Sequence, residues 1–356
     1  MRSRIRTSER VGWLALALAL ASVASADEPA KWLERMNHAL TTLNYDGTFA
    51  HWEGGKVEML RIVHRVQDGS VSERLESLDG SGREFIRIGS RLTCYLPDKH
   101  IVLVERTPAK VSLLGGFPAI DPGTERFYDI KEVARMRFNR RNTHVITVMP
   151  RDQYRYGYRL WIDDSTAMPL KTQLCNAQGK VIEQIVFANL EIRRHIPDSA
   201  FLPHLSTTGF QWLRNDAAPL EQTVAPSGTV WNAEHLPPGF QLAMRAAQTM
   251  PGRPGPVDHL VFTDGLASVS VFVEAHVETI QGRTPVTESA HVGSSYAFST
   301  VVDGHKVTAV GEVPPETVRF IADSVKAEKV SAPPPPPVPL GELPTGPFAH
   351  GPRPRR

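Results

Sequence analysis

The stretch from Tyr154 to Phe187 constrains the fold of this chain more than any other. Tyr154, Tyr156, Tyr158, Leu160 and Ile162 take alternate positions, with Arg155, Gly157, Arg159 and Trp161 between them. Strand side chains point to opposite faces in turn, so this alternation predicts a strand with one covered and one wetter face. The polar run Asp163-Asp164-Ser165-Thr166 reads as a turn, and Met168, Leu170, Thr172 and Leu174 then alternate again. A second turn at Asn176-Ala177-Gln178-Gly179 precedes Val181, Glu183, Ile185 and Phe187. Three strands on short turns form an antiparallel meander. The remaining chain has to cover its apolar face.

Upstream, residues 29–43 place Trp32, Leu33, Met36, Ala39, Leu40 and Leu43 on one stripe of an amphipathic helix. Turn signals such as Gly54-Gly55, Asp68-Gly69 and Asp79-Gly80 then separate strand-like runs at 45–52, 57–66, 71–78, 84–88, 91–96 and 101–105. Strands resume at 143–149 and lead into the meander. One helix against about ten strands implies a large antiparallel sheet curved around that helix, because a sheet this wide curls. A single helix cannot hide the whole inner face, so apolar surface remains as a groove. Trp32, Met36, Leu40, Tyr154, Tyr156 and Tyr158 are its candidate lining. Leu113 and Phe117, in the Pro/Gly-rich loop 107–122, are its candidate gate. An acyl chain buried there would gain ~0.8 kcal/mol per methylene. A charge at Tyr156 would then weaken acyl binding.

Residues 203–235, rich in Pro and weak in periodicity, read as a linker after a first domain at 27–202. A smaller α+β domain follows at 236–330. Its best strand lies within 266–277, where Ala267, Val269, Val271, Val273, Ala275 and Val277 share a face. Asp264-Gly265 and Asp303-Gly304 signal hairpin turns. Pro314-Pro315 opens a helix with Val318, Ile321, Ala322 and Val325 at core spacing. The last 26 residues hold ten prolines, and 331–356 read as a disordered, polyproline-biased tail.

The N-terminus carries Arg2, Arg4, Arg6 and Arg10, an apolar segment and Ala24-Ser25-Ala26. That is the pattern of a secretory signal peptide over residues 1–26, which predicts a soluble, periplasmic mature protein. Its removal takes four arginines and one glutamate from 40 basic and 38 acidic residues, leaving a formal charge of −1. Nothing in that balance points to nucleic acid. Cys94 and Cys175 are the only cysteines. In an oxidising compartment they could pair, stabilising the fold by roughly 4–5 kcal/mol on the chain-entropy view, or stay as two thiols buried on different strands.

No catalytic, cofactor or metal motif is present: no Gly-x-Ser-x-Gly, no His-Glu-x-x-His, no phosphate loop. His64 and His276 sit in strand-like runs and read as structural. Arg155 and Arg159, with Arg137, Arg140 and Arg141 nearby, could hold an anionic headgroup, although solvated strand positions explain them equally well. The chain reads as a binding protein rather than an enzyme.

Several motifs together resemble one family. They are Tyr45-Asp46-Gly47-Thr48-Phe49, Arg61-Ile62-Val63-His64-Arg65, Glu73-Arg74-Leu75, Leu78-Asp79-Gly80 with Arg83-Glu84, and the run from Arg155 to Asp163. In the second domain they are His259-Leu260-Val261, the run from Asp264 to Phe272, and Gly311-Glu312-Val313-Pro314. With these, residues 27–330 resemble the RseB/MucB regulators of sigma-E type envelope stress. The resemblance implies a half-open barrel like LolA and LolB around a helix, plus a small domain that contacts an anti-sigma factor like RseA or MucA. It implies that this contact shields the anti-sigma factor from proteolysis, and that lipopolysaccharide or mislocalised lipoprotein releases it. A plain lipid or lipoprotein carrier is the rival expectation, an unrecognised hydrolase the third. The oligomeric state, a homo-oligomer included, is left open.

Overall fold

The computed structural model describes residues 28–106, 112–114, 124–215, 229–249, 256–274 and 287–329. The expected signal peptide, Phe117, His276 and the Pro-rich tail lie outside the described residues.

The amphipathic stripe forms α1 (Glu28–Thr42), with Trp32, Leu33, Met36, Ala39 and Leu40 all buried. The Thr41 and Thr42 hydroxyls donate to the Asn37 and His38 carbonyls and close its last turn. The chain then runs through β1 (Tyr45–Glu53), β2 (Lys56–Gln67), β3 (Ser70–Ser77), β4 (Glu84–Ile88), β5 (Arg91–Leu96) and β6 (Ile101–Arg106). A second meander follows: β7 (Tyr128–Phe138), β8 (Arg141–Pro150), β9 (Gly157–Asp163), β10 (Pro169–Cys175) and β11 (Val181–Ile192). Antiparallel pairing of β1 with β11 joins the two meanders, and β12 (Gln211–Asn215) adds in parallel to β6. The result is a twelve-stranded sheet whose edges are β12 and β7. It wraps α1 without closing. Phe49, Ile62, Ile146, Leu160 and Phe187 turn inward onto the helix stripe. On the other face, Val63, Ile86, Tyr95 and Val102 are covered by Ile196 and Phe201, from the segment after β11.

The second domain begins with β13 (Thr229–Ala233). A six-stranded antiparallel sheet follows, from β14 (Gln241–Thr249), β15 (Pro256–Thr263), β16 (Ser268–Glu274), β17 (Glu288–Val292), β18 (Ser295–Val302) and β19 (His305–Gly311). Helix α2 (Pro315–Asp323) and β20 (Val325–Lys329) complete it, with β20 paired to β13. Val269, Val271 and Val273 of β16 pack with Leu260, Phe262, Val307 and, from α2, Val318 and Ile321.

Two expectations need correction, the continuous tyrosine strand and the patternless linker. The tyrosine row is not one strand: residues 151–155 form bends and β9 starts at Gly157. Asp152 causes this, because its Oδ1 accepts from both the Tyr154 amide and Arg155 Nε and turns the chain there. Strand β7 has no apolar alternation because it is an edge whose residues 132–137 are largely exposed. The expected linker 203–235 contains β12, held by a parallel backbone ladder to β6, and β13, which pairs with β20 and buries Trp231 and Ala233 in the small domain's core. Of the two readings open for the cysteines the structure takes the second: Cys94 on β5 and Cys175 on β10 are buried and free, with five strands between them in the sheet. Burial pushes the Cys94 thiol up to about 11, so it is inert as a nucleophile. Among the described residues no helix is long and apolar enough to cross a membrane.

Candidate functional site

The structure brings together Trp32, Met36 and Leu40 of α1, Tyr158 of β9 and Leu113, all in or against the core of the large domain. Trp32 stacks on His144 at 3.8 Å between ring centres. His144 is held in turn by Glu132 at 3.0 Å and Asp164 at 2.8 Å. The described piece of the loop is tied down by one carboxylate. Glu73, fully buried, accepts from Ser112 Oγ at 2.7 Å and the Leu113 amide at 2.9 Å, while Arg87 neutralises it at 2.8 Å. Beside Leu40, Leu114, Ile185 and Phe187 a cavity of about 20 Å³ remains. That is room for roughly one water molecule. As the described residues outline it, this space is too small for an acyl chain.

Tyr154 and Tyr156 are not in that core. The Tyr154 ring meets Phe320 of α2 at 5.7 Å, and its carbonyl accepts the Thr317 hydroxyl at 2.7 Å. Tyr156 is buried facing Tyr296, Glu312 and Glu316, and that burial raises its phenol. Both belong to the junction with the small domain. The Arg155/Arg159 headgroup expectation falls for the same reason. Arg155 is fully buried and ion-paired with Asp264, itself shielded, and with Asp152 at 3.0 Å. Its other donor goes to the Pro238 carbonyl. Arg141 pairs instead with Asp163 at 3.0 Å, and Arg137 donates to the Arg140 carbonyl at 3.2 Å.

Arg155 organises the junction. Its guanidinium lies 5.1–5.5 Å from the ring centres of Phe127, Tyr128 and Phe240. Tyr128 donates to Asp264 at 2.9 Å, and Asp264 also accepts the Leu266 and Ala267 amides at 2.8 and 2.7 Å. One side chain from the small domain's hairpin turn thus satisfies a buried cation of the large domain, as buried charges require. Leu266, from the same turn, packs in the large domain's core. Gly239 has φ +84°, and a Cβ there would lie 2.3 Å from the Phe127 ring, so only glycine permits this approach.

A second contact lies at the ends of β1 and β11. Glu53 accepts the Ser294 amide at 2.8 Å, and the Ser294 hydroxyl sits 2.9 Å from Glu183 and 2.6 Å from Glu312. His51 pairs with Glu183 at 2.9 Å, and that bond raises the imidazole's pKa. Burial, and then the neighbouring Glu183, push the Glu312 carboxyl up to about 7. Sequence reading noted the Asp264-Gly265 turn but not Asp264 as a partner, and it missed Glu53, Ser294 and Glu312 as a site. The one local signal was a charge, Arg155, inside a row of aromatics.

Family models for the MucB/RseB N-terminal and C-terminal domains match residues 28–205 and 225–326. The sigma factor AlgU regulatory protein MucB of Pseudomonas aeruginosa is 32% identical over 326 residues, covering 91% of this chain and 98% of MucB. A solved complex of Pseudomonas aeruginosa MucA and MucB contains a chain that is 31% identical, with TM-score 0.64 over 85% of this chain and 99% of that one. A structure of MucB solved under its own name is 28% identical and scores 0.55 over the same 85%, and 99% of that chain. Both domains match in order and over nearly the full length of these relatives, and the chain therefore belongs to the MucB/RseB family.

Proposed function

We propose that this protein is a periplasmic negative regulator of a sigma-E type envelope-stress response. It grips the periplasmic domain of an anti-sigma factor like RseA or MucA, shields it from proteolysis, and releases it when acyl chains of lipopolysaccharide or lipoprotein enter the large domain. The observation that carries this reading is the likeness across both domains to MucB in its complex with MucA, at TM-score 0.64. The small size of this space among the described residues supports a release step. A ligand that bound open and closed forms equally would shift nothing, whereas one that needs room among Leu40, Leu114 and Phe187 favours the open form. Because Leu266 of the small domain is part of that core, opening it also disturbs the domain junction.

The test is protection of a purified anti-sigma periplasmic domain from its protease. The protein alone should slow cleavage, and added lipopolysaccharide should restore it. Cleavage at the same rate with and without the protein would remove the regulatory reading. Retention of an acylated peptide without any retention of the anti-sigma domain would make the protein a lipid or lipoprotein carrier.

A further inference from the structure

The contact around Ser294 has too few protons for its oxygens unless a carboxyl supplies one. Three carboxylate oxygens approach the Ser294 hydroxyl: Glu312 at 2.6 Å, Glu183 at 2.9 Å and Glu53 at 3.1 Å. A hydroxyl has one proton to donate. The Ser294 amide supplies a second, to Glu53, and His51 satisfies the far oxygen of Glu183. Glu183 and Glu312 therefore crowd the same hydroxyl, which can donate to only one of them, so a proton on one carboxyl is needed to relieve the other. Glu53 and Glu183 come from the large domain, Ser294 and Glu312 from the small one. Gly293 has φ +60°, and a Cβ there would overlap the Glu53 carboxylate at 1.8 Å, so the backbone is held hard against it.

We propose that Glu53, Glu183, Glu312 and Ser294 form a proton-dependent clasp between the two domains, closed while Glu183 and Glu312 share a proton and opened by repulsion when it is lost. The groups facing the pair do not cancel this charge. Glu58 of β2 and Glu316 of α2 add negative charge, while Tyr156, Tyr158 and Tyr296 are neutral phenols. His51 is the cation paired there, and it is bonded to Glu183 rather than Glu312. Glu312 titrates at about 7 in the docked form against 4.5 for a free glutamate, so the docked form holds the extra proton between those values. The Glu312 proton's contribution to docking is full below 4.5, weakens as pH rises through the window, and is lost above about 7. Loss of one proton changes the closed-to-open ratio by up to about tenfold per pH unit there. This inference concerns the domain contact and stands whether or not the anti-sigma partner is the right one.

The test is amide hydrogen exchange at Ser294 in the full mature chain, corrected for the intrinsic pH dependence of exchange, between pH 5 and pH 8. Protection in the wild type should fall by up to about tenfold per unit toward neutrality. Glu312→Gln, which keeps a donor and carries no charge, should remain protected throughout, and Glu183→Gln is the second variant if the first fails to fold. Constant wild-type protection, or an identical fall in the variants, would overturn the clasp.

Discussion

Arg155 is the largest fully buried side chain among the described residues. A buried guanidinium is tolerated only when paired and hydrogen-bonded, and here Asp264, Asp152 and the Pro238 carbonyl do both. Removing one partner leaves an uncompensated charge. Asp264→Ala should therefore lower stability by about 3–5 kcal/mol in urea unfolding, while the paired change Arg155→Met with Asp264→Leu should recover most of that loss. If the single variant unfolds at the wild-type midpoint, the pair does not hold the domains. At this scale the sequence showed an arginine in a strand-like alternation, which is the commonplace setting of a solvated residue. Its partner stands 109 positions away, and no local pattern links the two.

At the level of elements, hydrophobic spacing was a good guide wherever an element buries one face. Helix α1 and strands β1 and β16 follow their apolar periodicity, because burial of alternate or i, i+4 positions is what stabilises them. Met36 is nearly inaccessible between α1 and the sheet, so Met36→Ala should cost roughly 2–5 kcal/mol, read as a lowered urea midpoint. A shift under about 0.5 kcal/mol would mean the helix is not packed as described. Elements without a buried face escaped notice. Strand β7 is mostly exposed and β12 is a short parallel edge, each held by its backbone ladder to β8 or β6. Strand β13 does bury Trp231 and Ala233, but two positions are too few to show a period in the sequence.

On the scale of the whole molecule, the domains meet at the Arg155–Asp264 pair and at the carboxylates around Ser294, with Tyr154 and Tyr156 between them and α2. Tyr156 therefore lies in the domain junction, facing Tyr296, Glu312 and Glu316. Tyr156→Asp puts a buried charge beside Glu312 and Glu316, where desolvation and like-charge repulsion both oppose it. Small-angle scattering should show a larger radius of gyration for this variant, while binding of a fluorescent fatty-acyl probe should be unchanged. Weakened probe binding at an unchanged radius would return Tyr156 to the groove.

The sequence by itself determined which segments bury a face, that one helix lies against a wide antiparallel sheet, and which family the motifs belong to. Each of these depends on short-range periodicity or on contiguous motifs, which a linear reading retains. Only the tertiary structure decided where Tyr154 and Tyr156 point, that Cys94 and Cys175 stand apart, and that Asp264 and Glu312 reach the large domain. Those outcomes follow from a bend at Asp152 and from side chains brought together across more than a hundred residues. Burial and charge act on distance in space, and that distance is set only once the sheet has curled and the domains have docked.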